Sequence, residues 1–309
     1  MTIRTWAGPA HVPNLIERTA ALGVVEVSLQ EEPELLIWTE HAEAARLAEI
    51  LNRTPSVRWV QLPSAGVEDF IDARALDRTD VAYASCRGAF AVPVAEHAIM
   101  LLLAVLRNLK TRARSQTWGS QSGQLLAGSR VLIVGAGGVG LRTASLLQAF
   151  HAEVNLIGRT ARRVQIDGAI HYVRAFEHLD HLLDRHNILI LACPVTAHTR
   201  GLIGRTQLER LDRGAHLVNV GRGPVLDTQA LLWALDEGHL HGAGLDVTDP
   251  EPLPIGHPLW DRDDVLITPH TADTLEMVEP LFIERTVANV QRLGTGQPLL
   301  GEVSLSNGY

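Results

Sequence analysis

The chain has 309 residues, which is long for one compact core and comfortable for two domains. Apolar residues make up 46% of the chain and charged residues 20%, as in an ordinary folded globular protein. The formal net charge of −8 gives no general attraction to a phosphate backbone, so we expect no nucleic-acid partner.

The cysteine content and the longest apolar run argue against a secreted or membrane protein. Cys86 and Cys193 are too few for a disulfide framework and too far apart for a paired metal motif. We therefore expect a cytoplasmic protein without a metal site. The N-terminal residues lack the apolar region of a signal peptide. The run IMLLLAVL, residues 99–106, is far shorter than the roughly 20 residues that span a bilayer and predicts a buried helix.

Short β-rich runs alternate with helical patterns along most of the chain. The first block contains VVEVSL, LLIWT and VRWVQL, with the helical pattern AEAARLAEIL at residues 42–51. The alternation resumes at RVLIVG and continues through EVNLIG, HYVRA, NILILACP, HLVNVG, AGLDV and VLITPH. Runs of this kind are typical of parallel strands covered on both faces by helices. The sequence therefore predicts an α/β protein with two doubly wound parallel-sheet domains.

Two further segments are predicted to be helical. Residues 94–112 form one long helix whose middle is apolar nearly all round, so it must be buried on more than one side. We expect a second subunit to cover part of it, and hence a homodimer. The segment TLEMVEPLFIERTVANVQRL predicts a last helix that ends at Gly294.

The stretch VLIVGAGGVGLRTASLLQAF predicts a dinucleotide-binding loop. It carries Gly135, Gly137 and Gly140 in the spacing G-x-G-x-x-G, after an apolar strand and at the start of a helix. In that setting backbone N–H groups and the helix N-terminus bind a pyrophosphate. Gly138 and Val139 belong to the same loop, and we expect all five residues to contact the cofactor.

The next predicted strand, EVNLIG, ends where an acidic residue normally binds the ribose hydroxyls of NAD. This chain has Gly158 there, followed by Arg159 and Thr160, with Arg162 close behind. A guanidinium binds a 2′-phosphate through two charge-assisted hydrogen bonds, whereas a carboxylate would repel it. The sequence therefore predicts NADP as the preferred cofactor, with NAD as the second choice. The alternative, that these arginines only solvate an exposed loop, stays open.

Three later segments place reactive side chains after predicted strands. LVNVGRGPVLD carries Arg222, GLDVTDPEPLP carries Asp246 and Glu251, and VLITPHTAD carries His270. Open parallel sheets bind their ligands at the carboxyl ends of the strands, so these residues are predicted to share one site.

Together with VAEHAIMLLLAVLRNL and CPVTAHTRGLIG, these motifs resemble the D-isomer-specific 2-hydroxyacid dehydrogenase family, and its NADP-preferring glyoxylate/hydroxypyruvate reductase branch in particular. The resemblance runs from residue 94 to residue 271. It implies a Rossmann cofactor domain at residues 94–274 and a smaller flavodoxin-like substrate domain from residues 1–93 and 275–309, with a cleft between them.

The resemblance also implies individual roles. Arg222 binds the substrate carboxylate and 2-oxo group, Glu251 and His270 form an acid/base pair, and Asp246 faces the nicotinamide carboxamide. The remaining implied cofactor positions are Pro194, Thr196, Val220 and Gly221, with His270 beside the nicotinamide.

The chemistry of the implied reaction explains these residue types. Reduction of a small 2-oxo acid to the D-2-hydroxy acid places negative charge on the carbonyl oxygen, which needs a proton donor within hydrogen-bond reach. A histidine supplies it near neutral pH, and a neighbouring carboxylate favours the imidazolium form. An arginine fork suits a planar carboxylate and polarises the adjacent carbonyl.

The first block offers weaker candidates for the substrate site. QLPSAGVEDF resembles the family's loop whose amides bind the substrate carboxylate, with Ala65 and Gly66 at its tip, although an ordinary strand-to-helix turn explains it equally well. Trp38 in LLIWT resembles a pocket tryptophan of the reductase branch and fits a core residue equally well.

Two alternative functions remain. One is a phosphoglycerate dehydrogenase-like oxidoreductase, weakened because we expect no regulatory domain after Gly294. The other is a non-catalytic regulator that senses a dinucleotide, which the motifs do not exclude.

Overall fold

The computed structural model describes residues 2–119 and 121–305. It divides the chain into two compact units, one formed by the residues up to Phe90 together with those from Thr274 onward, the other by Ala91–Asp273. The strands are β1 (Ile3–Gly8), β2 (Val24–Glu26), β3 (Leu35–Trp38), β4 (Trp59–Gln61), β5 (Ala82–Ala84), β6 (Arg130–Val134), β7 (Glu153–Gly158), β8 (Arg162–Ile166), β9 (Ala169–Ala175), β10 (Ile188–Leu191), β11 (Ala215–Asn219), β12 (Leu240–Leu245) and β13 (Val265–Ile267). The α-helices are α1 (Leu15–Ala20), α2 (Ala44–Arg53), α3 (Glu68–Asp72), α4 (Ala91–Leu106), α5 (Leu109–Arg114), α6 (Gly138–Ala149), α7 (Leu179–Leu183), α8 (Arg205–Arg210), α9 (Thr228–Asp236), α10 (Pro258–Asp261) and α11 (Leu275–Gly294).

The first unit is built on a parallel sheet with the strand order β2-β1-β3-β4-β5. This is the flavodoxin-like order of doubly wound folds. Its central strand β3 is fully buried on both faces, as its uninterrupted sequence Leu-Leu-Ile-Trp requires. The last helix, α11, returns to this unit, packs against α1 and adds Phe282, Ile283 and Val290 to its core.

A buried amide network ties α11 to the first sheet. Asn289, which is fully buried, donates from Nδ2 to Gln61 Oε1 at 2.8 Å and to the carbonyl of Leu300 at 3.0 Å. The Leu300 amide in turn donates to Asn289 Oδ1 at 2.8 Å. Because Asn289 and Gln61 are fully buried, their hydrogen bonds compensate for desolvation that would otherwise destabilise the fold.

The second unit contains the larger sheet, with the order β13-β12-β11-β10-β6-β7-β9-β8. All of its pairings are parallel except the one between β8 and β9, which form an antiparallel hairpin at one edge. The strand order reverses between β6 and β10, which is where a doubly wound sheet opens a crevice for a ligand. The expectation of an α/β protein with two doubly wound sheets is confirmed.

The predicted helix over residues 94–112 is shorter than expected. The structure has α4 and α5 in its place, because Asn108 between them adopts the left-handed conformation with φ of 50°. Helix α4 packs against α6, β11 and β12 within the second unit. None of the helices in residues 2–119 and 121–305 has the length and apolar character that crossing a bilayer requires.

Candidate active site

The segment from the end of β6 into the first turn of α6, residues 135–140 and hereafter the glycine loop, has the space that a pyrophosphate needs. Gly135 has φ of +116°, and a Cβ there would lie 2.5 Å from the carbonyl of Ala192 after β10. A Cβ on Gly140 would overlap the carbonyl oxygen of Gly135. A Cβ on Gly137 would instead meet nothing within 4 Å, and no side chain caps the N-terminus of α6. The residues present therefore fit a dinucleotide phosphate at this helix N-terminus.

The loop after β7 carries the predicted cofactor arginines. Arg159 and Thr160 are exposed directly beyond the buried Gly158. Arg162 Nη2 donates to the carbonyl of Ala136 in the glycine loop at 2.5 Å. Its side chain thus supports the glycine loop from β8, and Arg159 is the first guanidinium beyond the β7 end.

The loops after β10 and β11 border the same edge of the sheet. Thr196 is held by Thr199, whose hydroxyl accepts the Thr196 amide at 2.8 Å and donates to the carbonyl of Pro194 at 2.7 Å. After β11, Val220 and Gly221 are buried, and the Gly221 amide donates to the Asn219 side chain at 3.1 Å. The predicted cofactor positions in both loops are therefore fixed by hydrogen bonds within the second unit.

His270 and Glu251 meet as a hydrogen-bonded pair. His270 Nδ1 lies 2.5 Å from Glu251 Oε1, with both side chains more than one-third exposed. Because a carboxylate can only accept, Nδ1 carries the proton of this bond and Nε2 is the ring nitrogen left to face a reactant. His270 has φ of 52°, an uncommon value for a residue with a Cβ, so the surrounding backbone must hold it there.

Arg222 shares this neighbourhood. It follows β11 as predicted, is half-buried, and donates from Nη1 to the carbonyl of Gly221 at 2.9 Å. The charges of both Arg222 and His270 act on the carboxyl of Asp273, three residues beyond His270. Burial is the largest effect there and raises the pKa of Asp273 above its ordinary value, against the opposing influence of His270 and Arg222.

Asp246 contacts both the segment after β13 and helix α4. It is 3% exposed, and its carboxylate accepts from the amides of Thr271 and Ala272 and from the Thr268 hydroxyl. His97 Nε2 on α4 lies 3.3 Å from the same carboxylate. Burial would raise the pKa of Asp246, but the hydrogen bonds from His97 and the others outweigh it and lower that pKa.

His97 and Thr268 were not among the residues predicted to contribute to the site. The available signal was a single histidine within the otherwise apolar segment AVPVAEHAIMLLLAVL of α4.

The candidates of the first unit lie in two different environments. Ala65 and Gly66 are half-buried in the loop after β4, where Ser64 Oγ donates to the carbonyl of Gly66 at 2.6 Å. Trp38 is fully buried in the core, with its ring centroid 5.9 Å from that of Trp6. The burial of Trp38 favours the core alternative over the pocket alternative.

A glycine loop at the switch point of a doubly wound sheet, with a histidine–carboxylate pair and an arginine along the same sheet edge, is typical of nicotinamide-dependent dehydrogenases. Comparison with known proteins agrees with this class. The sequence profile described as "D-isomer specific 2-hydroxyacid dehydrogenase, NAD binding domain" matches residues 99–272.

Relatives and solved structures extend the match to the whole chain. A glyoxylate reductase of Thermofilum pendens is 33% identical over 73% of this chain and 68% of its own. A D-isomer-specific 2-hydroxyacid dehydrogenase of Xanthobacter autotrophicus, solved with NADPH and MES, is 27% identical with a TM-score of 0.81 over 100% of both chains. The NADPH-dependent glyoxylate/hydroxypyruvate reductase of Sinorhizobium meliloti, solved with NADP and sulfate, is 25% identical with a TM-score of 0.77 over 100% of both chains.

The chain belongs to the D-isomer-specific 2-hydroxyacid dehydrogenase family. It is an NAD(P)-dependent oxidoreductase that acts on 2-hydroxy or 2-oxo acids, as the sequence motifs predicted.

Proposed function

We propose that this protein reduces a small 2-oxo acid, glyoxylate or hydroxypyruvate first, to the 2-hydroxy acid with NADPH, with the D configuration where the product is chiral. The observation that carries the proposal is the 2.5 Å hydrogen bond between His270 Nδ1 and Glu251 Oε1 at the carboxyl edge of the cofactor-binding sheet. Several relatives named glyoxylate or hydroxypyruvate reductases support the choice of substrate.

In this proposal the bound nicotinamide supplies the hydride, and the chain's own residues handle charge and the proton. His270 donates the proton from Nε2 to the substrate oxygen, since Nδ1 is taken up by Glu251. The Glu251 carboxylate stabilises the protonated imidazole before transfer. Arg222 binds the substrate carboxylate through its guanidinium fork and draws electron density from the neighbouring carbonyl.

We propose NADPH over NADH because a guanidinium stands where NAD-binding proteins of this fold have a carboxylate. Arg159 is exposed at the end of β7, while Arg162 is turned to the glycine loop. Structures of two relatives contain NADPH or NADP.

We also propose that the protein is a cytoplasmic homodimer. Helix α4 leaves Met100 41% exposed on a face that also includes Ile99 and Leu103, and a second copy of the chain would cover these side chains. Both cysteines are free and buried, which suits a reducing compartment.

A substrate panel tests the proposed function. NADPH and NADH oxidation is followed at 340 nm with glyoxylate, hydroxypyruvate, pyruvate, phenylpyruvate and 3-phosphohydroxypyruvate. We expect the highest kcat/KM for glyoxylate or hydroxypyruvate with NADPH. A preference for 3-phosphohydroxypyruvate would favour the phosphoglycerate dehydrogenase alternative, and no turnover of any of the five would overturn the proposal.

A further inference from the structure

We propose that His97 is a positioning residue that fixes the turn carrying His270, an inference that rests on the function proposed above. His97 lies on α4, far from His270 in the chain. It acts through Thr268 and Asp246. We call these three residues, His97, Thr268 and Asp246, the relay.

The direction of each hydrogen bond in the relay follows from the groups involved. Thr268 Oγ1 lies 2.7 Å from Asp246 Oδ1 and must donate, because a carboxylate only accepts. The hydroxyl oxygen therefore accepts from His97 Nε2, which lies 2.8 Å away. Nε2 thus carries a proton and also points to Asp246 Oδ1 at 3.3 Å.

The far end of the relay holds the backbone around His270. The amide of His270 donates to the carbonyl of Asp246 at 2.8 Å. The next two amides, those of Thr271 and Ala272, donate to the Asp246 carboxylate at 3.0 and 3.2 Å. Three consecutive amides are therefore anchored on one buried residue, and they surround the position with φ of 52°.

This anchoring explains how the uncommon conformation of His270 is maintained. A residue with a Cβ in the left-handed region costs about 1–2 kcal/mol, which the anchoring hydrogen bonds must offset. The Asp246 carboxylate can hold the amides of Thr271 and Ala272 in register only if it is itself held in place. Thr268 and His97 fix this carboxylate through contacts with Asp246 Oδ1, and the His97 side chain is only 14% exposed.

The location of His97 supports a specific role over simple space filling. Its neighbours on α4 that face the sheet are apolar, and Leu101 packs so closely on β12 that a Cβ at Gly244 would lie 2.9 Å from it. A leucine would fill the place of His97 on such a surface without the cost of burying a polar ring. The histidine instead forms two hydrogen bonds that lead to the reacting group.

The test compares His97→Leu with His97→Gln. Leucine removes the donor and keeps the apolar bulk, while the glutamine amide reaches about as far as Nε2 and donates from that place. We expect kcat for the best substrate of the panel to fall by about 10–100-fold in H97L, because a small misplacement of a reacting group costs that much. H97Q should keep kcat within about fivefold of wild type, and the Kd for NADPH should change less than about threefold in both.

A second pair makes the result independent of how well H97L folds. Thr268→Val removes the middle hydroxyl and keeps the shape, and Thr268→Ser restores the hydroxyl. T268V should lose kcat as H97L does, T268S should keep it, and the double variant H97L/T268V should lose no more than the worse single variant.

Equal kcat in wild type, H97L and T268V would overturn the inference, as would losses in T268V and T268S of the same size. An additive double variant would also overturn it, since His97 and Thr268 would then act separately. These outcomes differ from failure of the proposed function, in which the wild-type protein itself turns over no 2-oxo acid.

Discussion

At the scale of single residues, the arginine beyond β7 carries the cofactor preference. We predict that Arg159→Gln lowers the ratio of kcat/KM for NADPH over that for NADH by about 10-fold or more, because hydrogen bonds to a charged group contribute about 1.5–3 kcal/mol. Steady-state kinetics with NADPH and with NADH measure this ratio. The single exchange is preferable to Gly158→Asp, since a Cβ at Gly158 would lie 3.0 Å from Val173 and disturb β9.

Arg163 is the matched control for this substitution. Its guanidinium lies over the Tyr172 ring at 5.4 Å from the centroid, on the β8–β9 hairpin. Arg163→Gln removes the same charge from the same region and should leave the cofactor ratio within about twofold. If R159Q and R163Q lowered the cofactor ratio equally, the arginines would act only through their general positive charge. Arg159 would then have no specific role in binding the 2′-phosphate.

The carboxyl of Asp273 predicts a pH-dependent stability. Burial raises the pKa of Asp273, so the folded chain favours the protonated form. The stabilising contribution of this group is present below its ordinary pKa of about 3.9 and is lost as pH rises through the raised value. Asp273→Asn should therefore raise Tm at pH 7 by about 1–3 °C, and this gain should shrink as pH falls toward 4.

Differential scanning fluorimetry between pH 4 and 8 measures this effect. The exposed Asp263 provides the comparison, because Asp263→Asn removes a carboxylate with little desolvation. A lower Tm for D273N at pH 7, or a gain that does not change with pH, would contradict the assignment of burial as the cause.

The positions of candidate site residues could be inferred from the sequence where a residue follows the end of a strand. Arg222, Asp246 and His270 follow the parallel strands β11, β12 and β13, so a common sheet edge could be inferred for them from the sequence. His97 could not be inferred in this way, since its role depends on which face of α4 meets the end of β13, and that is set by tertiary packing. The hydrogen bond from Arg162 to the carbonyl of Ala136 could not be inferred either, since it depends on the β8–β9 hairpin.

At the scale of elements, the strands without a continuous apolar run were the ones that pattern analysis missed. Strand β1 has Arg4 and Thr5 within it, β5 is only three residues long, and β8 begins with two arginines at an exposed edge. Their pairing partners, not their own hydrophobicity, decide that they are strands. The break between α4 and α5 was missed because the left-handed conformation of Asn108 has no reliable signal in an apolar helix.

Helix α11 is the element whose attachment is most directly testable. Asn289→Leu keeps the branched shape of the side chain but leaves Gln61 Oε1 and the Leu300 backbone without their partner. We predict a loss of about 2–4 kcal/mol in the free energy of unfolding of the first unit, measured by urea titration. Glu284→Gln, at an exposed position of the same helix, should change it by less than about 0.5 kcal/mol.

If N289L were as stable as the wild-type protein, the amide network would not be what joins α11 to the sheet. The apolar side chains Phe282, Ile283 and Val290 would then account for the attachment by themselves.

At the scale of the whole molecule, the alternation of strands and helices was sufficient to predict two parallel sheets, each covered by helices. Each unit has hydrophobic cores of its own, with Leu36, Leu47 and Phe70 among the buried residues of the first and Leu132 and Leu189 among those of the second. The second unit carries the candidate cofactor-binding and reacting groups. The switch point of its sheet lies beside the glycine loop, and the carboxyl edge of the sheet carries the pair of His270 and Glu251.

The central claim is that His270 donates the proton that completes reduction of a 2-oxo acid. The most direct measurement is the single-turnover rate of NADPH oxidation by the wild-type protein and by His270→Gln, with the best substrate of the panel and with the Kd for NADPH determined separately. Loss of a general acid lowers such rates by about 10²–10⁴-fold, so we predict a fall in this range with the Kd changed less than about threefold. A His270→Gln variant that oxidises NADPH at the wild-type rate would contradict the claim.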